Sequence, residues 1–238
     1  MNINLTEKYL SLRKLQFDTI DFIDYTNLAC DYIIKIDIGT FYEKIKDDYR
    51  EILSIEEIEK ARRFRSINDA KRFVCTRYGI RNILSFFLNI SPKSILFQLE
   101  LNNKPYVEGI EFNITHCADL VIFAISKNPI GVDIELCKKD FDFNGITAIT
   151  LTEPELKLME NGPYGNQTFY WLWTRKEALL KATGEGLIDQ MNDVSVLKDQ
   201  VVRLSRTYNF YSFEVFDDYI GCMASSSLKS IRCFNYTL

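Results

Sequence analysis

A chain of 238 residues that is 47% hydrophobic, 13% aromatic and 26% charged has a globular composition, enough for one large domain or two modest ones. A formal net charge of −4 argues against a protein that coats nucleic acid. With no apolar run near the ~18 residues of a membrane span, no signal-peptide core at the N-terminus and no C-x-x-C pair among its six cysteines, the sequence predicts a cytoplasmic protein with reduced, mostly buried thiols and no membrane partner.

Residues 1–50 carry one legible element, a strand from Tyr32 to Ile38. Ser54-Ile55-Glu56-Glu57 then predicts a capping box opening a short helix through Lys60, Arg62, Arg63 and Phe64. Asn68 is expected to cap a longer helix in which Phe73, Arg77, Ile80, Leu84 and Phe87 form the core stripe, with Lys71, Arg72 and Arg81 elsewhere on the cylinder. Lys60, Arg62, Arg63, Arg65, Lys71 and Arg72 make a basic cluster in an acidic protein, either a solvated corner or an anion site.

Ser91-Pro92 closes the helical region, and a strand is expected from Ile95 to Leu101, followed by the turn Asn102-Asn103-Lys104-Pro105. The single histidine follows in Phe112-Asn113-Ile114-Thr115-His116, and a lone histidine is more often packed than catalytic. The apolar run Leu120 to Ser126 reads as a buried strand that Lys127-Asn128-Pro129 folds back as a hairpin onto the next strand. There Ile130, Val132, Ile134 and Leu136 alternate with Gly131, Asp133, Glu135 and Cys137, so Asp133 and Glu135 point the same way. Two adjacent carboxylates repel unless a proton or cation lies between them; the bland alternative is a wet acidic face. The hairpin places Thr115 and His116 one strand from the acidic pair.

Thr152-Glu153-Pro154-Glu155 predicts another capped helix stopped by Asn161-Gly162-Pro163. From Phe169 to Thr183 an amphipathic helix ends at Gly184 and puts Glu177 and Lys181 on one face, where they could be no more than a surface pair, with Thr174 a possible cap. Beyond Gly186, strands are expected at Val194 to Leu197, Val201 to Leu204, Tyr211 to Phe216 and Tyr219 to Ala224, giving an antiparallel α+β organisation.

Taken together, Gly131-Val132-Asp133-Ile134-Glu135 and, some forty residues on, Trp173-x-x-Lys176-Glu177-Ala178-x-x-Lys181 resemble the paired signature of the 4′-phosphopantetheinyl transferases, with the spacing of the surfactin-synthetase-activating (Sfp) type. Lys60-x-Arg62-Arg63-Phe64, Asp69-Ala70-Lys71-Arg72, Asn103-Lys104-Pro105 and Phe112 to His116 follow the same family order, and the resemblance runs from about Ser54 to Leu187. It implies a monomer of two pseudo-equivalent α+β halves, 1–128 and 129–238, with coenzyme A in the cleft between them and Mg²⁺ on the second half. It implies transfer of the phosphopantetheine arm to a serine hydroxyl of an apo acyl or peptidyl carrier protein, releasing adenosine 3′,5′-bisphosphate. Asp133, Glu135 and Glu177 would then be the magnesium ligands, Lys181 would neutralise the breaking pyrophosphate, and Glu177 or a metal-bound water would take the serine proton. Lys60, Arg72, Lys104, Thr115 and His116 would hold the coenzyme A phosphates, with Asp133 and Lys181 also at the cofactor.

The chain departs from the family pattern at Glu57, where a basic residue is expected one turn before Lys60, and at Thr115, where serine is common. The 3′-phosphate grip would then be weaker or rebuilt from Arg63 or Lys71. Acids two apart with a later Glu and Lys also suit a metal-dependent phosphodiesterase or nuclease, and a third reading is a non-catalytic coenzyme A or carrier-protein binding module.

Overall fold

The computed structural model describes residues 12–19, 28–99, 102, 104–138, 140–143, 145–186, 191–216, 218–227 and 229–238. In chain order these hold β1 (Arg13–Lys14), β2 (Asp18–Thr19), β3 (Asp31–Asp37), α1 (Ile38–Ile45), α2 (Tyr49–Ile52), α3 (Ile55–Arg62), α4 (Ile67–Leu88), β4 (Gln98–Leu99), β5 (Pro105–Tyr106), β6 (Glu111–Cys117) and β7 (Leu120–Ser126). They continue with β8 (Ile130–Leu136), α5 (Ile146–Thr150), α6 (Glu153–Asn161), α7 (Gly165–Thr183), β9 (Gln200–Arg203), β10 (Arg206–Glu214), β11 (Tyr219–Ser225) and β12 (Ile231–Asn235). The protein is mixed α+β, and the chain divides into two compact units, one of residues 17–127 and 229–238, the other of 1–16 and 128–228.

In the first unit, β2-β12-β3-β7-β6 form a sheet in which β7 pairs antiparallel with β3 and β6, while β12 runs parallel to β3 and β2. Every residue of β7 is buried, as its unbroken apolar run requires of a central strand. The core gathers Ile34, Ile36 and Phe123 from the sheet with Val74, Ile80, Ile83 and Leu84 from α4. Ser54 caps α3 through the expected box, its hydroxyl taking the Glu57 N–H at 3.2 Å while Glu57 takes the Ser54 N–H at 3.0 Å. Ser66 caps α4, not Asn68, which lies inside the helix; an oxygen three residues before the Asp69 N–H is what the cap geometry selects. Nor does Arg81 lie on an outer face. It is 3% exposed, and its guanidinium donates to Glu57 at 2.8 Å and to the carbonyls of Pro92 and Ile95.

In the second unit the order is β1-β10-β11-β8, with β9 also on β10. This corrects the expected hairpin: β7 pairs with β6 and β3, whereas β8 pairs along its whole length with β11. The tight connection of β7 runs backwards, through Ala118 at φ 49° to β6. Asn128-Pro129 instead carries the chain out of one sheet and into the other, so Thr115 and His116 are not one strand from Asp133 but belong to a different sheet.

The chain ends also fall differently from a division at 128/129. Residues 229–238 belong with the first unit, where Phe234 stacks on Tyr32 and Tyr236 packs against Phe41, and β1 joins the second unit beside β10. The strand expected from Ile95 to Leu101 is reduced to Gln98–Leu99, with Leu101 and the turn residue Asn103 outside the described residues, as is Leu187. No strand forms at Val194 to Leu197; that segment follows a single 3₁₀ turn, Met191–Asp193, and is held by side chains described below.

Candidate active site

β8 is the edge strand of its sheet, and α7 lies across it. The approach depends on Gly131: a Cβ there would sit inside van der Waals contact with the Ala178 carbonyl and the Ala182 nitrogen, and 3.0 Å from the Lys181 carbonyl carbon. The acidic face of β8 is therefore covered. Asp133 is 5% exposed and Glu135 half-buried, which removes the reading of a wet acidic strand.

From α7, Lys181 donates to Asp133 Oδ1 at 2.7 Å and to the Val132 carbonyl at 3.2 Å. It is thus bound to the strand and is more than the outer half of a surface pair with Glu177. Two turns nearer the N-terminus of α7 than Lys181, Trp173 stacks on Phe169 and hydrogen-bonds the Glu135 carboxylate. Burial, followed by the Asp133 charge, raises the Glu135 pKa; the Trp173 bond and the charges of Lys181 and Lys138 oppose the rise. Glu177 is pushed up to about 7, mainly by desolvation and then by Asp133, with Lys181 pulling the other way and Glu135 adding to the rise. Its Oε1 is buried with no hydrogen-bond partner among the described residues.

Among the described residues, no three His, Cys, Asp or Glu side chains are gathered as a ready-made metal cage. Lys181 supplies positive charge to Asp133, the two lying 2.7 Å apart. The donor set still suits a hard, oxygen-binding cation. Two carboxylates have raised proton affinity, a third carries a lysine that could be relieved, and one buried carboxylate oxygen lacks a donor. Closing on one ion would require these side chains to converge further.

Thr174 does not cap α7. It lies nine residues inside the helix, with its hydroxyl donating to the Trp171 carbonyl. Sequence reasoning gave no role to two basic residues of α7, although Lys176 stands in the signature. Arg175 donates to Ser212, to the Val196 carbonyl and to Asp199, and stacks over Trp171 at 4.1 Å. Lys176 is buried against Glu155, and desolvation lowers its pKa against the opposing pull of that carboxylate. The available signal was the run Arg175-Lys176 on the same helix as Trp171 and Leu172, whose burial leaves little room for solvated neighbours.

The remaining sequence-derived residues lie in the other unit. Lys60 is exposed at the end of α3, with its ammonium 5.3 Å from the Phe73 ring centre; Arg72 pairs with Asp69 on α4; Lys104 precedes β5; Thr115 is buried and His116 exposed on β6. Lys71 lies over Tyr42 at 4.7 Å. Glu57 faces inward, 2.8 Å from Arg81 and 3.6 Å from Arg77, so the departure noted there is a structural substitution buried in this unit.

Two family models cover adjacent parts of the chain. The 4′-phosphopantetheinyl transferase N-terminal model matches residues 45–128, and the 4′-phosphopantetheinyl transferase superfamily model matches residues 129–224. The 4′-phosphopantetheinyl transferase gsp of Aneurinibacillus migulanus is 31% identical over 74% of this chain and 76% of its own. The chain belongs to the 4′-phosphopantetheinyl transferase superfamily. Within it, the chain is of the Sfp type: the Sfp transferase of Bacillus subtilis is 30% identical over 62% of this chain and 67% of its own. The HetI transferase of a Nostoc strain is 30% identical over 59% of this chain and 63% of its own, so the match spans somewhat under two thirds of that relative.

Proposed function

We propose that this protein moves the 4′-phosphopantetheine arm of coenzyme A onto a serine hydroxyl of an apo acyl or peptidyl carrier protein. The observation that carries the reading is the second-unit cluster: Asp133 and Glu135 on β8 brought against Glu177 and Lys181 of α7. In this reading the serine oxygen bonds to the β-phosphorus, the bond from that phosphorus to the bridging oxygen breaks, and adenosine 3′,5′-bisphosphate leaves. Lys181 offsets the charge growing on the leaving pyrophosphate oxygen, a gain realised mainly in the transition state. Glu177 accepts the serine proton, its buried Oε1 having no hydrogen-bond donor among the described residues. Asp133, Glu135 and Glu177 would hold Mg²⁺, which when bound supplies positive charge to the substrate's phosphate oxygens. Lys60, Arg72, Lys104, Thr115 and His116 are assigned to the coenzyme A phosphates, for which ammonium and guanidinium groups are apt donors.

We also read the two units as pseudo-equivalent. In support, each runs from a strand (β3, β8) through a capping-box helix (α3, α6) to a long helix (α4, α7), and then to two strands (β6 and β7, β10 and β11) of which the last pairs with the first. Among the described residues no helix is long and apolar enough to cross a membrane, and all six cysteines are free thiols. The free thiols are in keeping with work in the cytoplasm.

The test is incubation of the protein with Mg²⁺, coenzyme A and an apo carrier domain, followed by mass spectrometry, where transfer adds ~340 Da to the carrier. Asp133→Ala and Glu177→Ala should each abolish the gain while melting as the wild type does. Near-normal turnover by either variant would remove the cluster from the chemistry.

A further inference from the structure

The acid–lysine cluster is held from behind by a second, fully buried ion pair. Glu155 is the third residue of α6 and is 0% exposed; Lys176, the residue before Glu177, is 2% exposed. Glu155 Oε2 takes the Thr152 N–H at 2.8 Å and lies 2.8 Å from Lys176 Nζ, while its Oε1 takes the Val196 N–H at 2.7 Å. The ammonium also donates to the Met191 carbonyl at 3.0 Å and to that of Val194. One carboxylate and one ammonium therefore tie together three pieces of chain: the start of α6, the middle of α7 and the strandless segment 191–196.

We propose that Glu155 is a positioning residue for the transfer reaction, acting through Lys176 to fix the roll of α7 and so the direction of Glu177 and Lys181. The inference rests on the function proposed above. Successive helix residues are ~100° apart, so holding Lys176 on one side determines where Glu177 points. A roll of ~10° moves a carboxylate ~6 Å from the helix axis by about 1 Å, beyond the tolerance of a catalytic constellation. Stability alone does not call for this arrangement, because well-packed apolar side chains commonly replace a buried ion pair without loss. What an apolar pair cannot do is accept the Val196 N–H and donate to two main-chain carbonyls, and those directional bonds set the register of helix against segment.

The experiment compares Glu155→Gln and the double variant Glu155→Met with Lys176→Met in the full-length chain. Three readouts are taken: melting temperature, kcat and KM for coenzyme A with an apo carrier, and amide exchange at Val196. Glu155→Gln leaves a buried ammonium without its counter-charge and should melt lower; the Met pair should recover most of that loss. Both should keep KM within about threefold while kcat falls tenfold or more, the size expected for sub-ångström to 1 Å displacement. Both should also speed exchange at Val196. A Met pair with wild-type kcat would reduce Glu155 to a stabilising residue and overturn the proposal, as would Val196 exchange unchanged in Glu155→Gln. Wild-type protein inert toward every apo carrier would sink the proposed function instead, and Val196 exchange would still decide whether the latch exists.

Discussion

Replacing Gly131 by alanine adds one carbon, and the structure says what that carbon meets. It would fall closer than 3.0 Å to the Ala178 carbonyl oxygen and the Ala182 nitrogen and 3.0 Å from the Lys181 carbonyl carbon, where ordinary contact is 3.4–4 Å. All three are main-chain atoms of α7, so no side chain can turn aside to relieve them. The helix must retreat, by an amount on the order of 1 Å at the worst contact. Overpacking of this kind costs about 1–3 kcal/mol, which for a chain of this size lowers the melting temperature by roughly 2–12 °C. The catalytic effect should be larger than the stability effect. Lys181 and Glu177 move with the helix while Asp133 and Glu135 stay on the strand, and a misplacement of ~1 Å can cost ~10²-fold in rate. Calorimetry and the coenzyme A transfer assay, run on the same preparation, measure both. Gly131→Ala with a melting temperature within a degree of wild type and turnover within twofold would show that α7 and β8 do not depend on this approach, and the site geometry built on it would fall.

Lys181→Ala should depress kcat well beyond any change in coenzyme A affinity, since its charge is most valuable as the pyrophosphate bond breaks; initial-rate kinetics that show the whole loss in KM would move it to ground-state binding. Glu57→Gln should destabilise the first unit by about 3–5 kcal/mol, because it strands the buried Arg81 guanidinium, and a thermal melt unchanged from wild type would contradict the inward placement of that carboxylate. Glu185 is clasped by Arg203 through two 2.7 Å bonds, and the Arg203 hydrogen bond holds its pKa below the usual carboxylate value of 4.5. A depressed carboxylate pKa contributes stability that is present above the unfolded-state value and lost as pH falls through the folded one. Through this group the melting temperature should therefore not vary with pH near neutrality, where its contribution is fully present, and Glu185→Gln should flatten part of the decline below about pH 4.5; an identical acid profile in the variant would exclude the linkage.

The sequence by itself determined the elements whose causes are local. The Ser54 and Thr152 boxes, the stop at Gly162, the glycine ending α7 at Gly184 and the alternation of β8 all follow from residues within one turn or one pleat of each other, and each is present in the structure. The shared direction of Asp133 and Glu135 was legible for the same reason. The tertiary structure decided everything that depends on which strand lies beside which. Periodicity marks β7 as a buried strand but cannot choose its neighbour, and the choice of β6 and β3 over β8 sends the acidic strand to another sheet from His116. Burial of charge was likewise out of reach: Glu57, Glu155, Arg81 and Lys176 read as surface residues in any one-dimensional pattern. A charge goes inside only where a partner from a distant part of the chain meets it, and Lys176 meets Glu155 from 21 positions away.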